Sequence, residues 1–218
     1  MIQIKIFVFN PFMENTFVVF DETKEALIID PGCYEDYEKK ELTDYIKSTA
    51  LKVVRLINTH SHIDHCLGNA FVRQTFNVPL SIHKSEQIVL KSIESYAPAY
   101  GFQNYESTDA DTFIEEGEVI TFGNSSLEVI FVPGHSPGHI ALVNREQNIC
   151  ISGDVLFENS IGRTDLPGGN LDTLLESIRN KMFSLDDDTV VYPGHGPVTT
   201  IGKEKISNPF CGKYSTIS

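Results

Sequence analysis

The chain has 218 residues, 41% of them hydrophobic and 22% charged, a balance that suits a globular core and excludes a disordered or fibrous chain. Seventeen Lys and Arg against thirty Asp and Glu give a formal charge of −13, which repels nucleic acid and anionic membranes. The four cysteines, Cys33, Cys66, Cys150 and Cys211, are far apart, form no C-x-x-C pair and read as reduced thiols of a cytoplasmic protein.

The opening QIKIFVF, residues 3–9, alternates like a strand and lacks the long apolar core and small-residue cleavage site of a signal peptide. NTFVVF and ALIID are the next strands, followed by a helix over 35–48 and the strand KVVRLINT. Helices are predicted over 66–76 and 84–95, with Ser85 as a possible cap and His83 at the helix entry. The segment SYAPAYGFQNYESTDADTF, residues 95–113, is rich in aromatic, Pro and Gly residues and reads as an irregular insert. LEVIFVP, HIALV and NICIS are strands; a helix over 170–183, capped by Asn170 or Asp172, precedes the strand TVVYP. These elements predict a mixed α/β layered protein. No run reaches transmembrane length and no linker compels a boundary, so residues 1–218 are expected to form a single domain.

The chemistry is concentrated in NTHSHIDHCLGN, residues 58–69, which places His60, His62, Asp64 and His65 within six positions of a chain with seven histidines. In an extended segment His60, His62 and Asp64 point one way and His65 the other, so one flat strand cannot aim all four at one ion. A strand ending at Thr59 and a helix beginning near His65 would divide them between two metals. Further ligand-type residues follow other strands: Asp30 ends ALIID, His135 follows LEVIFVPG, Asp154 follows NICISG and His195 follows TVVYPG. Loops at one edge of a β scaffold can gather such residues, and the repeated PGH at 133–135 and 193–195 supplies glycine where the backbone must turn sharply. Imidazole and carboxylate without thiolate suit Zn²⁺, Fe or Mn²⁺, and Asp154 has two oxygens with which to bridge. Taken singly, Asp154, His135 and His195 also fit a turn residue or a satisfied core histidine.

H-x-H-x-D-H at 60–65, then PGHSPGH, SGDVLF and PGHGP in that order resemble the metallo-β-lactamase superfamily. Within it, GDVLFENSIGRTDLPGG and TTIGKEKISNPF resemble the short bacterial glyoxalase II-like, hydroxyacylglutathione hydrolase type. The resemblance implies a four-layer αββα sandwich with two divalent ions, Zn²⁺ first and Fe or Mn next. His60, His62 and His135 would hold one ion, Asp64, His65 and His195 the other, with Asp154 bridging. A hydroxide shared by the ions would attack a thioester or ester carbonyl, S-lactoylglutathione for example, and Asp64 would be catalytic, orienting the hydroxide and relaying its proton. Asp30 resembles a second-layer residue that orients a ligand, or else forms the turn before Pro31. The partner implied is a small-molecule thioester or ester, with neither nucleic acid nor membrane.

Arg163 in SIGRTD could grip a substrate carboxylate, or pair with Asp165. Tyr96, Tyr100, Phe102 and Tyr105 could wall the substrate mouth or hold the long loop down. His83 and His139 read as structural and Cys66 as packing. The classical glyoxalase II enzymes carry a helical C-terminal region that helps bind glutathione; 23 residues follow His195 here, in which Lys203, Lys205, Lys213 and Tyr214 offer partial replacements or a solvated end. One alternative function is persulfide dioxygenase, with one Fe(II) on His60, His135 and Asp154; another is a metal-binding module without catalysis. β-Lactam hydrolysis is disfavoured by the lack of an export signal, and RNA processing by the acidic charge.

Overall fold

The computed structural model describes residues 1–215. It divides into two compact units, Met1–Ile114 with Thr121–Ser126, and Glu115–Ile120 with the chain from Leu127 onward.

The first unit is built on a six-stranded sheet in chain order. Strands β1 (Gln3–Phe9), β2 (Glu14–Phe20) and β3 (Glu25–Ile29) are antiparallel neighbours, in register from Gln3 opposite Phe20 to Phe9 opposite Glu14 in the first pair. Helix α1 (Asp36–Ser48) then crosses to β4 (Lys52–Ile57), which lies parallel to β3. Its start is a capping box in which Glu35 and Glu38 satisfy each other's backbone amides. The buried Glu38 carboxylate also accepts from the amides of Asn10 and Tyr34, at 2.7 Å each. Val18, Phe20, Ala26 and Ile28 join Leu42 and Ile46 of α1 in one core cluster. Phe17, Val19, Leu27 and Ile29, on the opposite face of the same strands, are also fully buried. Strands covered on both faces explain the continuous apolar runs TFVVF and ALII.

Helices α2 (Ile63–Cys66) and α3 (Asn69–Phe76) follow, then β5 (Leu80–His83), α4 (Gln87–Tyr96) and β6 (Thr112–Ile114). The expected helix 66–76 is thus two helices, and the first begins at Ile63 with His65 inside it. The break falls where the Gly68 amide donates to the Pro31 carbonyl at 2.7 Å instead of continuing a helical ladder. The cap expected from Ser85 is reversed: His83 caps, its Nδ1 accepting from the Ser85 amide at 3.3 Å, and Lys84–Glu86 forms a 3₁₀ turn before α4. Residues 95–113 are largely irregular, as expected, apart from the end of α4, a 3₁₀ turn at Ala97–Tyr100 and the start of β6.

The second sheet begins with β7 (Val119–Phe122) and β8 (Ser125–Phe131), followed by β9 (Ile140–Asn144) and β10 (Ile149–Gly153). The two-residue strands β11 (Leu156–Phe157) and β12 (Ser160–Ile161) pair separately. Helix α5 (Leu171–Asn180) crosses to β13 (Val190–Pro193), parallel to β10; β14 (Thr199–Thr200) and α6 (Ile201–Ser207) end the second unit's regular structure. The sheet order is β14-β13-β10-β9-β8-β7. Of the two caps proposed for α5, Asn170 is the one used, accepting from the Thr173 amide at 2.9 Å. Leu174, Leu175 and Ile178 of α5 enter a second core cluster with Ile130, Val143, Cys150 and Val191.

In the tail Lys203, Lys213 and Tyr214 are exposed, as in a solvated end, while α6 itself is anchored. Thr200 caps α6, and the fully buried Glu204 accepts from the Asn159 amide at 2.9 Å and the Thr199 hydroxyl at 2.5 Å. Lys203 pairs with Glu158, and Lys205 with Asp187 at 2.6 Å. Lys213 lies over the ring of Tyr214. All four cysteines are free and buried, as expected, and burial pushes the Cys150 and Cys211 thiols up to about 12. Among the described residues no helix is long and apolar enough to cross a membrane.

Candidate metal centre

The five strand-end positions singled out in the sequence fall where expected. Asp30 follows β3 directly and Asp154 follows β10 directly, while His60, His135 and His195 lie just beyond β4, β8 and β13.

In the first unit the chain leaves β4, bends at Thr59 and His60, passes His62 and enters α2 at Ile63. This turn places His62, as the helix N-cap residue, before the helix and Asp64 and His65 within it. The His60 ring lies 4.8 Å from that of His62 and 4.1 Å from that of His65, centroid to centroid. His65 Nε2 is 3.6 Å from Asp64 Oδ2. His60 and His65 are fully buried, whereas His62 and Asp64 are partly exposed.

Side chains from distant positions tether this loop. Asp30 accepts from the Thr59 amide at 2.7 Å and from its hydroxyl at 2.6 Å, and the same carboxylate lies 3.2 Å from His65 Nδ1. Asp30 also has φ of +50°, so it forms the turn before Pro31 while its carboxylate faces His65. Asp30, His60 and His65 each offer a ligand atom within 4.8 Å of the other two. Asn58 donates to the His65 carbonyl at 2.9 Å and exchanges amide hydrogen bonds with Asn69. Asn10 donates to the Asp64 carbonyl at 3.0 Å. Glu14, fully buried, accepts from the Thr16 hydroxyl, and its Oε1 is 3.9 Å from His65 Nδ1. Burial raises the Glu14 pKa well above the carboxylate range; the His65 charge opposes that rise, and those of Asp30 and Asp64 add to it.

In the second unit Asp154, 7% exposed, presents Oδ2 at 3.6 Å from His135 Nε2 and 3.5 Å from His195 Nε2. One carboxylate facing two imidazoles is the arrangement expected of a shared ligand. His135 Nδ1 lies 2.7 Å from the Arg163 carbonyl, a bond it can make only as a donor, which leaves Nε2 its lone pair. His139, fully buried, accepts the Asp154 amide at Nε2 over 3.0 Å. Its structural role is therefore specific: it holds the peptide that carries Asp154. Gly162 is obligatory here, because a Cβ would stand 1.9 Å from the Asp154 carbonyl oxygen and 2.9 Å from His135 Nδ1. The two PGH segments are not equivalent: Gly134 has φ of +130°, while Gly194 is not among the positive-φ residues.

The Arg163 guanidinium makes two 2.7 Å bonds to Asp165 and holds that carboxyl down to about 2. Both side chains are exposed, and it is the Arg163 backbone that reaches a candidate ligand. Phe102 is buried against Tyr34, and Tyr96 and Tyr105 pack on the first core cluster, so these three hold the loop down. Tyr100 stays exposed, with its ring 6.3 Å from that of Phe12.

Asn10, Glu14, Asn58 and Glu86 escaped the sequence reading. A buried carboxylate or amide carries no local mark that separates it from a surface one. Asn58 alone had a signal, its place at the head of the histidine motif.

The donor set is imidazole and carboxylate. Cys66 Sγ turns instead toward the His60 carbonyl, 4.0 Å away, and burial raises its thiol pKa further. Buried carboxyl groups at Asp30 and Glu86, alongside these imidazoles, suit divalent cations. The residues present fit such ions.

A model of the metallo-β-lactamase superfamily matches residues 9–195. The hydroxyacylglutathione hydrolase GloC of Haemophilus influenzae is 36% identical over 215 residues, covering 98% of this chain and 100% of GloC. Among solved structures, the B3 metallo-β-lactamase BLEG-1 superposes with a TM-score of 0.86 at 36% identity, covering 95% of this chain and 98% of BLEG-1. TTHA1623 in a di-iron-bound form gives 0.83 at 32% identity, covering 94% of this chain and 98% of its own.

Proposed function

The chain belongs to the metallo-β-lactamase superfamily and has its α/β fold, and from that premise we propose that it is a binuclear metal-dependent hydrolase of a thioester or related ester. The observation that carries the reading is Asp154, whose single oxygen faces both His135 and His195. In this proposal His60, His62 and His135 would hold one ion and Asp64, His65 and His195 the second, with Asp154 shared, within one domain over 1–218. Support comes from the family match, which runs through all seven residues, and from the tethers inside each unit, Asp30 on Thr59 in the first and His139 on Asp154 in the second.

When bound, the two ions supply Lewis acidity: they polarise the substrate carbonyl and lower the pKa of an attacking water toward about 7. The chain supplies the rest. Asp64, partly exposed in the first turn of α2, orients that water and takes up its proton at a carboxylate oxygen. The C–O bond forms, the C–S or C–O bond to the leaving group breaks, and the proton passes to the departing thiolate or alkoxide. Asp30 keeps His65 aligned, and the Arg163 carbonyl does so for His135. The match to GloC makes S-lactoylglutathione the first substrate to test and a cytoplasmic thioester the expected class. Zn²⁺ is the first metal, and the di-iron form of TTHA1623 keeps iron in play. The second reading is persulfide oxidation at one Fe(II), which His60, His135 and Asp154 would hold.

The test is free-thiol release from S-lactoylglutathione by protein loaded with Zn²⁺, Mn²⁺ or Fe²⁺, with bound metal counted. We expect two ions per chain, rapid release, and a loss of about 10²-fold or more in the Asp64→Asn variant. One iron per chain with oxygen uptake on glutathione persulfide would replace this reading by the second.

A further inference from the structure

We infer that Glu86 is a positioning residue for the H-x-H pair, setting the angle between His60 and His62 through the peptide that joins His60 to Ser61. The inference rests on the reading above that these histidines hold a metal.

Glu86 closes the 3₁₀ turn that follows β5, and its side chain is fully buried. Because β5 lies parallel to β4, the segments leaving the two strands run side by side; the Asn58 amide donates to the Ser81 carbonyl at 3.1 Å. Glu86 Oε2 thereby accepts the Ser61 amide at 2.7 Å, a length typical of a charge-assisted bond. Ser61 is held through its backbone: its own hydroxyl is buried without a hydrogen-bond partner among the described residues. Rotation of this one peptide swings the two flanking imidazoles relative to each other, since they sit on either side of it.

The other tethers act elsewhere on the motif. Asp30 takes Thr59, Asn10 takes the Asp64 carbonyl and Asn58 that of His65. Glu86 takes the amide between the two histidines. A carboxylate buried this completely is costly unless its contacts are specific, and the Ser61 amide is such a contact. Its placement makes sense as a rigid acceptor aimed at a ligand-bearing loop.

The experiment is Co²⁺ titration of the full-length metal-free protein, read by the Co²⁺ absorption spectrum and by competition with a chromophoric chelator, for wild type, Glu86→Gln, Glu86→Asp and Glu86→Ala. Circular dichroism shows which variants are folded. Gln keeps the acceptor oxygen at the same reach, so Glu86→Gln is expected within about threefold of wild-type affinity with the wild-type spectrum. Asp keeps the charge but withdraws the oxygen, so Glu86→Asp, like Glu86→Ala, is expected to bind about 10- to 100-fold more weakly with an altered spectrum. Wild-type affinity and spectrum in Glu86→Asp, or a Gln variant as impaired as Asp, would overturn the inference, and neither comparison needs the Ala variant to fold. Because no turnover is read, a protein that binds Co²⁺ in the expected order yet hydrolyses no thioester fails the proposed function alone.

Discussion

The two units hold their candidate ligands by opposite means. In the first, four ligands sit within one short stretch, His60 to His65, and remote side chains pin it: Asp30 on Thr59, Asn10 on Asp64, Asn58 on His65 and Glu86 on Ser61. In the second, three ligands come from three separate strand ends, and the tethers are one backbone carbonyl, that of Arg163 on His135, and one side chain, His139, on the Asp154 amide. A contiguous motif leaves a run of peptide groups out of the sheet, so buried polar side chains must satisfy them. Scattered ligands inherit their positions from strands that are already paired, and need chiefly room for close approach.

That contrast can be broken by substitution. The largest effect is expected from Asp30→Ala, which strips a buried acceptor from the Thr59 amide and hydroxyl and strands His65, at a cost of about 3–5 kcal/mol. Chemical denaturation measures the loss, and hydrogen exchange should show protection falling around residues 58–66 while β10 stays protected. Equal loss in both would mean that the two groups are not held independently. Next comes Gly162→Ala in the second unit, where the new Cβ meets the Asp154 carbonyl oxygen. About 1–3 kcal/mol of destabilisation is expected from forced displacement, with metal affinity lowered and the Thr59 tether intact. His139→Leu should cost somewhat less, about 1–2 kcal/mol, because one buried amide loses its acceptor. Its diagnostic is a metal stoichiometry below that of wild type in a protein that still melts cooperatively.

The smallest effect is expected at the exposed Arg163–Asp165 pair. The guanidinium holds the Asp165 carboxyl at about 2, below its ordinary ~3.9, so the pair's contribution is complete above the ordinary value and is lost as pH falls from about 4 through about 2. Any Tm difference between wild type and Asp165→Asn should be slight at pH 7 and vanish across that acid window. Arg163→Ala should leave KM for S-lactoylglutathione unchanged. A raised KM with kcat preserved would show instead that the guanidinium leaves Asp165 to take a substrate carboxylate.

Much of this was legible in the sequence for identifiable reasons. The strand runs were readable because burial on both faces leaves unbroken apolar stretches such as TFVVF in β2, and α5 because Asn170 marks its start before an amphipathic pattern. The motif His60 to His65 stands out because seven histidines rarely cluster. The split of the helix at Gly68 was not readable, since the competing acceptor is Pro31, far back in the chain. Helix α6 was missed because seven residues carry too little periodicity, and what docks it is Glu204 reaching Asn159 and Thr199.

By itself the sequence determined which residue types were available as ligands, their order and their positions at strand ends, because side-chain chemistry and two-residue strand periodicity are local properties. Only the tertiary structure decided which ordinary-looking residues hold them: that Glu86 and Asn10 reach the histidine loop, that His139 carries Asp154, and that Arg163 acts through its carbonyl. Those roles depend on which chain segments become neighbours, and hydrogen bonds reach only about 3 Å, so they exist only once the sheets have formed.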